Sequence, residues 1–332
     1  MLCYDNAIIP NEKTLKEYKL TVKTDSFAAN SILVHRKSKA AVERVAQTIF
    51  AVCASFAIFA VASITLYMLM KGTPAIFKLG LKEILFSDSW KPTADEPQYG
   101  ILYALLTSLI GTGMAVIIGI PVGVLTAVFL AEIANDKVVS VVRPSVELLA
   151  GIPSVIYGLL GIYLLNPLMY KLELKLFRDS ETHQFTGGSN LLSAVLVLAV
   201  MILPTVINIS ENSIREVHPS IREASMALGA SRIQTIFKSV LPAARSGIAT
   251  AVVLGVGRAV GEAMAITLVS GGSVNVPFPF NSVRFLTTAI VSEMGYSSGT
   301  HRQVLFTIGL VLYVFILFIN IVLTDILKRD NK

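Results

Sequence analysis

The chain has 332 residues, 54% of them hydrophobic and only 15% charged, and its net charge is +6. An average soluble domain is about 25% charged, so the composition excludes an ordinary water-soluble fold and makes a bilayer the expected solvent. The basic excess sits beside apolar runs rather than in a patch of its own, which excludes reading it as a nucleic-acid footprint.

In chain order, residues 1–40 mix Asp5, Glu12, Glu17 and Asp25 with lysines and carry no apolar stretch near Met1 that would make a cleavable signal. They are expected to form a flexible or loosely folded cytoplasmic arm, ahead of a single membrane domain over residues 41–332. A helix needs roughly 20 apolar residues to cross hydrocarbon, where no water satisfies exposed backbone groups. Six runs qualify, at approximately 45–70, 101–131, 146–166, 191–211, 246–270 and 303–327. The expected fold class is an all-α polytopic membrane protein with six transmembrane helices. The second run is too long for a straight span, and Gly119-Ile120-Pro121 within it is expected to remove a helix hydrogen bond and bend it. Cys3 and Cys53 fall in the arm and in span one, which excludes a disulfide framework or a zinc cluster within one chain. His35, His183, His218 and His301 are scattered over different loops and read as solvated residues, and no catalytic constellation accompanies them.

Orientation follows from the basic residues beside the spans, since short basic loops stay in the cytoplasm. Arg36, Lys37, Lys39 and Arg44 precede span one, Lys137 and Arg143 follow span two, and Lys328-Arg329 follow span six. The loop after span four adds Arg215, Arg222, Arg232, Lys238 and Arg245. On the other side the charges balance, with Lys171, Lys175 and Arg178 matched by Glu173, Asp179 and Glu181. Both termini are therefore expected in the cytoplasm.

The loop over about 213–245 carries a pattern of its own. From Ile221 to Lys238 apolar residues fall at Ala224, Ala227, Leu228, Ile233, Ile236 and Phe237, Gly229 interrupts them, and Ser231 is placed to cap the second apolar group. Two short helices joined at Gly229 are expected. This elbow fits an amphipathic connector on the lipid surface or a DNA-binding helix-turn-helix. The flanking spans pin the pair against the membrane, where a recognition helix could hardly enter a groove.

Span five contains Gly257-Arg258-Ala259-Val260-Gly261-Glu262, with an arginine near its midpoint and a glutamate one turn on. Each charge costs about 2.5–3.5 kcal/mol at a helix centre, so both should face protein or water. Their spacing allows a mutual ion pair that fixes helix packing; alternatively, Arg258 offers a planar fork for an oxyanion. Gly257 and Gly261 form a small-residue face that lets another helix approach closely.

The elbow resembles the coupling loop of ATP-binding-cassette importer permeases, the binding-protein-dependent transport system inner-membrane component family. Glu223, Ala224, Gly229, Leu241 and Pro242 match its motif at the family spacing, while Ser225 replaces the second alanine and Ser239 stands where isoleucine is usual. Span five, together with Glu147–Gly158 and Met201-Ile202-Leu203-Pro204, is similar to the permease subunits of the bacterial high-affinity phosphate importer, the PstC type more than PstA. Ala263 departs from that pattern, in which threonine is common.

The resemblance covers roughly residues 45–327 and implies the type I ABC-importer permease fold with a cytoplasmic coupling helix, in the bacterial inner membrane. It implies a PstA-like permease partner, two PstB-like ATPase subunits and a PstS-like phosphate-binding protein, with phosphate as substrate and no nucleic acid. It assigns Glu223 a polar contact to the ATPase, Gly229 the tight turn, and Arg258, Glu262, Gly257 and Gly261 the substrate pathway, Glu262 holding Arg258 in position. The chain has no Walker-type phosphate loop, so it binds no cofactor by this reading, and ATP and Mg belong to the ATPase. Sulfate or molybdate as cargo, a PstA-type identity, a proton-driven secondary transporter and a membrane phosphate sensor remain alternatives.

Overall fold

The computed structural model describes residues 12–329 and divides the chain into two compact units between Leu66 and Tyr67. The first unit belongs to α1, Glu12–Leu79, which runs through residue 40 without interruption. Where the sequence suggested a loose arm, the chain is helical from Glu12 onward; Cys3 and Asp5 lie outside the described residues. From Glu43 to Leu66 almost every side chain is exposed, including Phe50, Phe56 and Phe59. An apolar surface of that extent calls for lipid or a partner protein over it.

The second unit begins within the last turns of α1. After it come α2 (Leu81–Phe86) and a two-stranded antiparallel ribbon of β1 (Trp90–Lys91) and β2 (Gln98–Tyr99), with Trp90 opposite Tyr99. Helix α3 (Leu102–Val128) passes through Pro121 and ends in a π turn, Phe129–Ile133. Asn135 caps α4 (Asp136–Gly151) by accepting from Val138 N at 2.9 Å.

The third span departs from expectation at Ile152-Pro153. Proline lacks the N–H that continues a helix and disfavours helical backbone in the residue before it, so α4 stops at Gly151 and α5 (Ser154–Leu160) starts anew. The Tyr157 hydroxyl donates to Leu149 O at 2.6 Å across the break. The span continues through a second π turn, Gly161–Leu165, into α6 (Asn166–Leu176), and so covers Ser154–Leu176 rather than 146–166.

Helix α7 (Leu191–Arg215), capped by Asn190, is the most buried span. After it come α8 (Pro219–Ala227), α9 (Arg232–Thr235), a third π turn at Ile236–Val240 and α10 (Leu241–Gly261). Helices α11 (Met264–Val269), α12 (Leu286–Glu293) and α13 (Gly299–Arg329) complete the chain. Six helical segments among the described residues are long and apolar enough to cross a membrane, as the sequence predicts.

Helix α7 packs closely on α3 and α10. A Cβ at Gly119 would lie 2.5 Å from Ile202 Cδ1, and one at Gly255 2.9 Å from Val206 Cγ2, so the missing side chains allow the helices to meet. Two apolar clusters lie at opposite ends of α3, roughly 40 Å apart at 1.5 Å per residue. One joins Ile84, Ile101, Leu286 and Leu305; the other joins Val128, Ile214, Ile236 and Val240. The end of span two therefore meets the end of span four and the start of span five, as the alternating topology requires.

Candidate pathway and coupling site

Arg258 lies in the last turn of α10, half-buried. Its Nη1 donates to the Thr205 hydroxyl of α7 at 3.3 Å. The guanidinium thus links spans four and five, and it forms no ion pair within the described residues.

The expected Arg258–Glu262 pair is not formed. Helix α10 ends at Gly261, and Glu262 adopts extended backbone (φ −71°, ψ 134°) that turns its side chain away from the i+4 position. Glu262 Oε1 instead accepts from Ala265 N at 3.0 Å, and its carbonyl accepts from the Thr287 hydroxyl at 2.7 Å. Ala263 occupies the cap position of α11 with no side-chain oxygen to offer, so the carboxylate of the preceding residue takes over that function. Span five is consequently broken at 262–263 rather than continuous to 270.

Gly257 and Gly261 do not serve as the contact face foreseen for them within this chain. A Cβ at either position would meet nothing within 4 Å. Beside Arg258 this side of α10 is open.

The elbow matches its sequence pattern closely. Helices α8 and α9 are joined at Gly229, whose φ of +87° is a left-handed conformation that suits glycine. Ser231 caps α9 in a reciprocal pair, with Gln234 N donating to Ser231 Oγ at 3.3 Å and Ser231 N to Gln234 Oε1 at 2.9 Å. Glu223 and Ala224 are exposed, and the Glu223 carboxylate makes no hydrogen bond or ion pair among the described residues. Leu241 opens α10 with Pro242 in its first turn, where a missing N–H costs nothing. Ser225 and Ser239, the two departures from the family motif, meet each other: their hydroxyls lie 3.3 Å apart, and Ser225 reaches Thr235 Oγ1 at 3.0 Å.

The outer face of the elbow is apolar. Leu228 is 91% exposed, and Ile233, Phe237 and Met226 lie open beside it. Helix α9 continues through the π turn into span five, which leaves no separate recognition helix for a DNA groove.

Four buried or nearly buried carboxylates were invisible to sequence reasoning as partners. Glu132 takes Arg222 Nη2 at 2.6 Å, and Glu211 takes Arg215 Nε at 2.8 Å and also Arg143. Glu173 accepts from Thr186 N at 2.9 Å and pairs with His183 Nε2 at 2.8 Å, the imidazole stacking on Phe177. Glu293 takes Trp90 Nε1 at 3.1 Å, His301 Nε2 at 2.7 Å and Arg284. His183 and His301 are therefore partners of buried carboxylates rather than solvated residues. The sequence carried no signal that pairs them, since Glu211 lies within span four and Glu173 in a loop whose charges balance. Near the same hub, burial pushes the Tyr99 phenol above its ordinary range.

Residues 119–331 match the family described as binding-protein-dependent transport system inner membrane component. The chain belongs to that family. As a member, this permease is 39% identical over 277 residues to the probable ABC transporter permease protein YqgH of Bacillus subtilis (strain 168), covering 81% of this chain and 86% of that protein. It is 32% identical to the phosphate transport system permease protein PstC of Haemophilus influenzae, over 69% of this chain and 76% of that one. Identity to PstC of Xylella fastidiosa (strain 9a5c) is 30%, over 84% and 88%. Among solved structures, a bacterial ABC transporter involved in the import of the acidic polysaccharide alginate superposes with a TM-score of 0.55, over 80% of this chain and 91% of that one, at 18% identity. That likeness is one of fold, and the permease has the six-span ABC-importer architecture that the sequence implies.

Proposed function

We propose that this permease forms the membrane pathway of an ATP-driven inorganic phosphate importer, together with a second, PstA-like permease. The observation that carries the reading is a half-buried arginine in a membrane-spanning helix with no carboxylate partner among the described residues. A guanidinium has five N–H donors in a fixed fork, and Thr205 engages one of them. The others can meet an oxyanion, while Gly257 and Gly261 leave the adjoining side open for the anion and for the partner permease. Glu262 contributes by closing α10 and starting α11, which shapes the break beside Arg258. Similarity to phosphate permeases favours phosphate over sulfate or molybdate as the cargo.

In this reading the elbow faces the cytoplasm, as do both termini, in the bacterial inner membrane. Glu223, Ala224, Gly229, Leu241 and Pro242, with the exposed Leu228 and Phe237, present a docking surface to one of two PstB-like ATPase subunits, which use ATP and Mg. A PstS-like binding protein delivers phosphate to the opposite face, and ATPase closure moves the spans as rigid bodies.

The test is uptake of radiolabelled phosphate in cells lacking and carrying the chain, with excess unlabelled sulfate as competitor. Uptake that requires the chain and ignores sulfate is expected; uptake blocked by sulfate, or unchanged without the chain, overturns the substrate. Arg258→Gln should reduce uptake about tenfold or more at normal membrane abundance, since charge-assisted hydrogen bonds contribute about 1.5–3 kcal/mol. Undiminished uptake would remove Arg258 from the pathway.

A further inference from the structure

We propose that Glu132, in the π turn that ends span two, is the positioning residue through which the coupling elbow moves spans two and four. The inference rests on the reading of the elbow as an ATPase docking site and says where its motion goes.

Helix α8 has no buried side chain. Beyond its chain connections to span four and to α9, a helix without a fully buried face is attached to its neighbours mainly through polar side chains. The main one is Arg222. Its Nε and Nη2 donate to Glu132 Oε1 at 3.0 and 2.6 Å, a two-pronged grip on a carboxylate whose side chain is only 10% exposed. The remaining donors reach the end of span four, with Nη1 to Val217 O at 2.5 Å and Nη2 to Ile214 O at 2.9 Å. These carbonyls lie at the helix terminus, where intrahelical partners run out.

The second elbow helix grips the same residue, for Arg232 at the start of α9 donates to the carbonyl of Glu132. One residue of span two is therefore held by both elbow helices, and one arginine of the elbow holds spans two and four together. Span four is α7, which carries Thr205 about two and a half turns before Ile214, or roughly 14 Å at 1.5 Å per residue. Thr205 is the hydroxyl that engages Arg258. The helix tethered through Arg222 at the elbow thus also holds the pathway arginine, and a rigid helix conveys displacement from one end to the other.

The experiment uses the complete complex, with partner permease, ATPase and phosphate-binding protein, reconstituted in vesicles. The quantity read is phosphate transported per ATP hydrolysed. Glu132→Gln should leave ATPase copurification and hydrolysis within about twofold while transport per ATP falls about fivefold, on the order of one weakened charge-assisted contact. Because the two residues act as a unit, the Glu132→Gln/Arg222→Gln pair should be no worse than the poorer single variant. A purely structural role would lower transport and hydrolysis in proportion; an unchanged ratio, or multiplicative effects in the pair, overturns the proposal.

Hydrogen exchange over Pro219–Ala227 in the same complexes separates this inference from the phosphate reading. Faster exchange in Glu132→Gln supports the tether whatever the cargo, and unchanged exchange counts against it. Wild-type complex that hydrolyses ATP without moving phosphate sinks the substrate assignment alone. Should Glu132→Gln not assemble, Arg222→Lys, which keeps the charge but loses the fork, should show the same loss of ratio in weaker form; an unchanged ratio there overturns the proposal equally.

Discussion

A carboxylate cluster lies near each end of span two, and the two are built differently. Near its start, Glu293 gathers Trp90 from the first ribbon, Arg284 from the loop before α12 and His301 from α13, with the carboxylate buried. At its finish, Glu132 and Arg222 join an elbow whose outward face is open, with Leu228 nine-tenths exposed and Glu223 unpaired among the described residues. The first end closes its polar groups on one another. The second leaves apolar and charged groups uncommitted. A protein that must be gripped and moved at one end while remaining rigid at the other would distribute its interactions in this way, with fold stability at the closed hub and partner recognition at the open elbow.

That contrast can be broken most directly at the hub. Glu293→Ala should destabilise the fold by about 3–5 kcal/mol, because removing one member of a buried charge cluster strands the others; thermal unfolding in detergent measures it, and a loss below about 1 kcal/mol would contradict a stability role. A smaller effect is expected at Gly229→Val. The site has space for a Cβ but a φ of +87°, so the cost is conformational, about 1–2 kcal/mol. The variant should unfold only slightly earlier while releasing the ATPase subunit during purification. Leu228→Ser should be smallest in stability, within about 0.5 kcal/mol for so exposed a side chain, yet it should weaken ATPase copurification. Unchanged copurification would argue that the open face has another occupant.

The elbow was legible because its determinants are local. Gly229 and Ser231 act on their own backbone and nearest neighbours, so a turn and a cap can be read from residue type and spacing. The six spans were legible for a different reason: the bilayer imposes a length and a composition on each. The breaks were harder. Pro153 lay inside an apolar run that hydropathy alone joins into one span, and Gly261, read as a packing glycine, is instead the last residue of α10. Past it the backbone turns, and the Arg258–Glu262 pair implied by helical spacing disappears. The hubs were illegible in principle, since Trp90 and Glu293 are 203 residues apart and nothing in either neighbourhood names the other.

Two of the three π turns among the described residues flank the elbow, at Phe129–Ile133 and Ile236–Val240. A π turn holds about one residue more than an α turn, and one residue of an α-helix rotates the side-chain direction by about 100°. Glu132 lies within one of these turns, so the extra residue helps to set the direction in which it meets Arg222. When relatives are aligned, a single-residue gap at 129–133 should therefore accompany loss of the acid at 132, and chains that share the acid should share the insertion.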